Sequence, residues 1–230
     1  KRQVIKDLMN CETSTGMMSA SVVTQKGVCQ QAIRRLSSEI GKLGHPELIL
    51  KSDGEPSIVA LKQRVKQERP ERIVLEESPV KESQANGGVE NAIRHVQGQI
   101  RTIKDCLQSR LGVKINGDEA IFPWLVSHAA DTINRHHVGQ DGKTAYQRWK
   151  GKPFRREVTE FGETVLYLKM GTRGKDKLDS RWETGTWMGV KDATGECIIG
   201  TSEGTVKARD FKRIADESER WNADRIKQLQ

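Results

Sequence analysis

The amino-acid sequence predicts an α/β sandwich over its first two thirds, followed by a small domain made of strands. Three features carry that prediction. Strand-like and helix-like segments alternate from residue 14 to about 150, one long amphipathic stripe runs from Gly88 to Leu111, and from Phe161 onward short apolar runs are broken by glycines.

The elements follow in order. STGMMSASVVT reads as a turn and a strand, and GVCQQAIRRLSSEIGKLG as a helix stopped by Gly44. Pro46 opens a strand through Leu48, Ile49 and Leu50 that ends at Asp53, before Gly54. Ser57 to Gln67 is a second helix, and Arg72 to Leu75 a short strand before a loop from Glu76 to Asn86. In the long helix Val89, Ile93, Val96, Ile100, Ile103 and Leu107 recur at three- and four-residue steps and must pack on the sheet. Glu90, Arg94, Gln97 and Arg101 fall on the flank of that stripe. A further helix spans Glu119 to Asn134. TAYQRWKGKPFRREV then forms a short helix with a basic exit, read as the interdomain connection. GETVLYLKM, ETGTWMGVKD, GECIIGTSEG and TVKARDFKR are strands that suggest a small SH3-like β-barrel. The expected organisation is a core over 1–155, a β-barrel over 156–213 and a charged tail over 214–230, exposed as a helix or disordered.

Charge and cysteine usage narrow the classes. Thirty-nine Lys and Arg against 31 Asp and Glu give +8 and a pI near 9.4, which points to a polyanionic partner. Residues 141–213 hold 16 basic and 11 acidic side chains, a balance suited to sequence-independent phosphate contacts or to protein docking. Cys11, Cys29, Cys106 and Cys197 form no CxxC pair, so neither a zinc site nor a disulfide framework is legible. His136 and His137 lack partners at ligand spacing and read as structural; Trp124, Trp149, Trp182 and Trp187 read as core. No apolar run approaches the ~18 residues of a membrane span and no signal peptide is visible, so the expectation is an intracellular protein without a membrane partner. The chain opens at Lys1 inside strand-like sequence and is expected to be part of something longer.

Asp53 and Glu90 carry the chemistry. Alone, Asp53 before Gly54 is an ordinary strand exit, and Glu90 a favourable anion near a helix N-terminus. Together they suit a metal-ion nuclease, with carboxylates from distant segments meeting at divalent cations. Phosphodiester transfer needs charge neutralised on the attacking and leaving oxygens, which two Mg²⁺ or Mn²⁺ ions about 3.5–4 Å apart provide, and such ions prefer carboxylate oxygens. Arg94, one turn beyond Glu90, is a candidate DNA contact, and Lys51, on the strand face of Asp53, a further one. Gln84, Asn86, Gly87 and Gly88 form either a helix-capping loop or a loop touching the DNA backbone.

SDGEPSIVALK followed by ESPVKESQANGGVENAIR resembles the catalytic core of retroviral and retrotransposon integrases. In that family a strand-borne Asp is followed by a loop, a Gln-x-Asn-Gly-type segment and a helix-borne Glu. Asp53 and Glu90 match its second and third acidic residues, with 36 residues between them here, one more than the familiar spacing. TAYQRWKGKPF, FGETVLYL, GKDKLDSRWETGTWMGV and GTVKARDFKRI are similar to the segment after the core in copia-like retrotransposon polyproteins, so the resemblance covers nearly the whole chain.

The resemblance implies an RNase H-like mixed-sheet core with flanking helices. It implies metal-dependent polynucleotidyl transfer (3′-end processing and strand transfer), metal held by Asp53 and Glu90, DNA contacts from Gln84, Asn86, Lys51 and Arg94, a homo-oligomer and action in the nucleus; no small-molecule cofactor is expected. The family's first catalytic Asp lies on the strand that opens the fold. Asp7 stands ten positions before Met17, which puts it in the second strand and the first Asp ahead of Lys1; Asp7 itself is the alternative. A fragment lacking that Asp would be a catalytically inactive DNA-binding module. A domesticated scaffold using the barrel to recruit proteins is the other reading.

Overall fold

The computed structural model describes residues 6–78, 87–156, 158–168 and 180–229, with Lys6, Asp7 and Leu8 described by backbone alone. The chain forms two compact units. The first takes residues 1–99 and 129–154, the second 100–128 and 155–230, so the division passes through two helices. In this division residues 100–128 fall with the strand-rich part.

In the first unit β1 (Lys6–Cys11) and β2 (Met18–Val23) form an antiparallel hairpin, with Cys11 opposite Met18 and Asp7 opposite Val22. Its turn is organised by Glu12, whose carboxylate accepts from the Ser14 amide at 2.7 Å, the Ser14 hydroxyl at 2.6 Å, the Thr15 amide at 2.8 Å and the Thr15 hydroxyl. Burial works to raise the Glu12 pKa, but these bonds to the charged form prevail and bring it down to about 2. Gly16, at φ 75°, supplies the left-handed residue of the turn.

α1 (Gln30–Leu43) begins at Cys29, whose Sγ accepts from the Ala32 amide, and ends at Gly44 at φ 71°, as the sequence predicts. β3 (Glu47–Ser52) and β4 (Arg72–Glu77) run parallel, in register from Glu47 opposite Arg72 to Ser52 opposite Glu77, with α2 (Pro56–Glu68) as the crossover. A parallel neighbour requires such a crossover, and α2 packs back on the pair. Ile33, Leu36 and Ile40 of α1 and Leu61 and Val65 of α2 are buried in one cluster with Ile73, against which Leu48, Leu50 and Leu75 pack. The alternation of strand side chains puts Ile49 and Val74 on the opposite face, where they are 62% and 41% exposed.

α3 (Gly87–Leu111) contributes its first half here, and Val89, Ile93 and Val96 line a small apolar hollow with Met9, Cys11 and Met18. α4 (Phe122–His136) contributes its second half. The buried Asn134 pairs with the β2 backbone, accepting from the Met18 amide at 2.8 Å and donating to the Met18 carbonyl at 2.7 Å. α4 starts three residues later than predicted from Glu119, because 117–121 form turns and Pro123 suits a first helical turn. α5 (Ala145–Lys150) is capped by Thr144 and ended by Gly151.

The second unit holds an antiparallel sheet in the order β8-β7-β6-β5-β9: β5 (Thr164–Leu168), β6 (Trp182–Val190), β7 (Cys197–Thr201), β8 (Gly204–Ala208) and β9 (Phe211–Arg213). β8 and β9 are consecutive in sequence yet occupy opposite edges. Only Arg209 and Asp210 join them, a reach of about 11 Å, whereas four flat interstrand steps would span about 19 Å. The sheet must therefore curl. The expected barrel is not closed, since no pairing of β8 with β9 is present among the described residues; with a single three-residue strand on that edge, the ladder cannot complete.

The tail, expected as an exposed helix or disordered, carries a short helix and packs through a few apolar residues. After β9 come a 3-10 turn (Glu217–Arg220) and α6 (Ala223–Lys227), where Ile226 is buried. Trp221, Ile226 and Leu229 join a cluster with Leu107, Leu125, Phe161 and Met188. Gly200 makes room for this segment: a β-carbon there would stand 2.7 Å from a Leu229 methyl. Glu163, fully buried, accepts from Arg213 Nε at 2.8 Å and Nη2 at 3.1 Å, with Arg220 Nε 3.7 Å away. One carboxylate thus binds the start of β5, the end of β9 and the segment beyond it.

Breaking that cluster has a sharp cost, because Glu163 is then left buried without its bidentate partner. Arg213→Met should lower stability by about 3 kcal/mol, read as a shifted urea midpoint with an unchanged slope. Glu12 gives a pH signature. A carboxyl held at about 2 against an ordinary 4.5 contributes stability above the higher value, lost as pH falls toward the lower one. In Glu12→Gln the stability measured by urea titration should lose that component of its pH dependence.

Candidate functional site

The carboxyl end of β3 carries two of the predicted residues, Lys51 and Asp53. Asp53 follows β3 directly and is exposed; its carbonyl accepts from the Ser52 hydroxyl at 2.8 Å. Chain direction changes within three residues, because Pro56 fixes the first turn of α2 and Glu55, in extended conformation, precedes it. Glu55 is held by Lys26 at 2.5 Å and by the Ser57 hydroxyl, and its pKa is lowered chiefly by the Lys26 hydrogen bond. Lys51 ion-pairs with Glu76 across the strands at 2.8 Å, both ends in solvent. Its charge is thus partly answered within the sheet, which weakens it as a DNA contact.

Two further carboxylates and one cation stand here that the sequence reading did not single out. Glu76 and Glu77 end β4, and a β-carbon on Gly54 would lie 3.6 Å from the Glu77 carboxylate. Lys62 of α2 is buried beneath them, donating to the Glu76 carbonyl at 2.8 Å and, more weakly, to the Leu50 carbonyl at 3.4 Å. Its pKa is lowered by burial, against the pull of Glu77, Asp53 and Glu76. A signal existed in the sequence: Lys62 sits beside Leu61 on the stripe that Ile58 and Val65 define, where a lysine is out of place.

Glu90 lies in the first turn of α3, exposed, as does Arg94 one turn later, while Ala92 and Val96 are buried. The flank of Glu90, Arg94, Gln97 and Arg101 is exposed as the periodicity requires; of the stripe Val96 and Leu107 are buried, Ile93, Ile100 and Ile103 half-buried, and Val89 is exposed. Asp53 and Glu90 belong to the same compact unit. Gln84 and Asn86 lie outside the described residues, as does the side chain of Asp7. His137 meets His95 edge to face, and His136 meets Phe154, in line with structural roles. Of the predicted core tryptophans Trp187 is buried; Trp124, Trp149 and Trp182 are half-buried.

Exposed carboxylates are the donor chemistry that magnesium or manganese takes. Among the described residues no group of three or more His, Cys, Asp or Glu is assembled to hold an ion. No helix among them is long and apolar enough to cross a membrane.

No protein-family model matches the chain, and no curated protein matches it in sequence. Solved structures do. A chain of the simian T-cell lymphotropic virus intasome, determined in complex with PP2A regulatory subunit B56 gamma, aligns at 21% identity and a TM-score of 0.50, over 94% of this chain and 75% of that one. The catalytic core domain of BIV integrase aligns at 19% identity and 0.43 over 63% of this chain and 85% of that one. The HTLV-2 integrase catalytic core domain, in complex with magnesium, aligns at 18% and 0.45 over 63% and 93%. The likeness to the intasome chain is one of fold: this chain has an integrase-like fold.

Because both side chains are exposed, removing their charge should leave the fold intact. Asp53→Asn should change stability by no more than about 0.5 kcal/mol, and Glu90→Gln should lose about 0.3–1 kcal/mol of helix-end stabilisation, both by thermal unfolding.

Proposed function

We propose that this chain is a DNA integrase of the retrotransposon kind, copia-like in origin, that transfers polynucleotide ends with Asp53 and Glu90 as its acidic residues. What supports the reading is a carboxylate at the exit of β3 and another in the first turn of α3, in the order of the family, within one unit of an integrase-like fold. Asp53 and Glu90 would hold Mg²⁺ or Mn²⁺, which when bound neutralises charge on the attacking and leaving oxygens. The rest is the work of the chain. β3 presents Asp53 at a sheet end, α3 presents Glu90, and Arg94 would take a phosphate of the bound strand, positioning it without reading its sequence. Gln84 and Asn86 are proposed to touch the backbone beside it, and Lys51 to do so only when released from Glu76. The β5–β9 sheet is proposed to be an SH3-like barrel left open and to hold DNA through phosphate contacts. The acting form is proposed to be a homo-oligomer in the nucleus.

A second reading, a DNA-binding fragment without activity, is favoured by the absence of a third ligand beside these carboxylates among the described residues. A strand-transfer assay with Mn²⁺ on a chain extended upstream of Lys1 separates the two. On the first reading product forms, and Asp53→Asn and Glu90→Gln reduce it to background while DNA affinity holds. On the second no product forms, but DNA is bound with strong salt dependence. In both, Arg94→Gln should reduce the slope of log affinity against log salt by about 1; no salt-sensitive DNA binding at all would overturn both.

A further inference from the structure

We infer that Lys62 is the positioning residue of the Asp53 site, its buried ammonium tying the carboxyl ends of β3 and β4 together and so fixing the direction in which Asp53 leaves the sheet. The inference rests on the reading of Asp53 as a functional carboxylate and deepens it.

Lysine is almost never fully buried without partners, and Lys62 is 2% exposed. Its partners are main-chain carbonyls on both strands, Leu50 of β3 and Glu76 of β4, at 3.4 and 2.8 Å. Because Leu50 stands opposite Leu75 and Lys51 opposite Glu76, these carbonyls are one register step apart, so a single head group bridges the two strands. The bridge falls at the last turn of chain before Asp53. Beyond it the Ser78 amide donates to the Ser52 carbonyl at 2.9 Å, the last rung between the segments among the described residues.

The core does not need the charge. An apolar side chain of similar length would fill the space beside Leu61 and Val65, and exchanging a buried ion for such a residue is often neutral or stabilising. The strand ends are what the charge serves. Asp53, Glu76 and Glu77 all act on it electrostatically, and Lys51 and Glu76 are the other charged groups facing one another there. Without the ammonium, the Leu50 and Glu76 carbonyls lose the donor that joins the two strands. With it, the exit of β3 is pinned to β4 from the buried side.

The test compares wild type with Lys62→Met, Lys62→Gln and Lys62→Arg in three readouts: thermal unfolding, amide hydrogen exchange and strand-transfer kinetics. In Lys62→Met the unfolding temperature should hold or rise. Exchange should quicken by about tenfold or more at Ser52–Gly54 and at Glu77 and Ser78, and keep its wild-type rate in α1. The kcat should fall by about tenfold to a hundredfold with KM for DNA unchanged, as for a displaced group. Lys62→Arg, which keeps the charge and the donors, should recover part of both effects. Unchanged exchange at the strand ends, or quickening spread evenly through α1, α2 and the sheet, would overturn the inference. If the Met variant does not fold, Lys62→Gln carries the same exchange comparison. If wild type shows no strand transfer, the proposed function fails, while the exchange measurement still decides the role of Lys62.

Discussion

Leu48, Leu50, Ile73 and Leu75 leave water only when β3 and β4 lie side by side in parallel against α1 and α2, and that single constraint positions the candidate site. Parallel pairing obliges the chain to cross over through α2 and to bring both strands out at the same end of the sheet. The acidic residues that follow the strands are therefore collected at one edge whatever their distance in sequence. The apolar side chains fix the pairing; the polar ones are carried to where chemistry can use them.

The second unit solves a different problem. A five-stranded sheet with consecutive strands on opposite edges has to roll, and a rolled sheet that is not closed by hydrogen bonds needs another fastening. Glu163 supplies one from within, through Arg213 and Arg220, and the segment from Trp221 to Leu229 supplies another from outside by packing on helices and sheet. Burying a carboxylate is costly unless it is fully paired. Here the pairing joins elements that are 50 residues apart in sequence, which makes the cost a condition of correct closure.

The two proposed roles within the first unit place opposite demands on burial. Asp53 and Glu90 must stay in solvent to be available to a ligand, and both do. Lys62 must leave solvent to act on the main chain, and it does. Exposed groups on rigid elements, with the support hidden beneath, are the arrangement that a precisely aimed site calls for.

The sequence by itself determined the local elements and much of the candidate site. The apolar periodicity of α3, the glycine that ends α1 and the run of Leu48, Ile49 and Leu50 act within a few residues, and the helix, its stop and the strand appear where the pattern put them. Asp53 at a strand exit and Glu90 on a helix flank were legible for the same reason. What only the tertiary structure decided depends on partners distant in the chain. The assignment of 100–128 to the strand-rich unit, the packing of residues 214–229, the open edge between β8 and β9 and the burial of Lys62 all turn on surfaces that no local window contains. A charged residue such as Arg213 or Lys62 reads as solvated until the buried carboxylate or carbonyl that answers it is brought alongside by the fold.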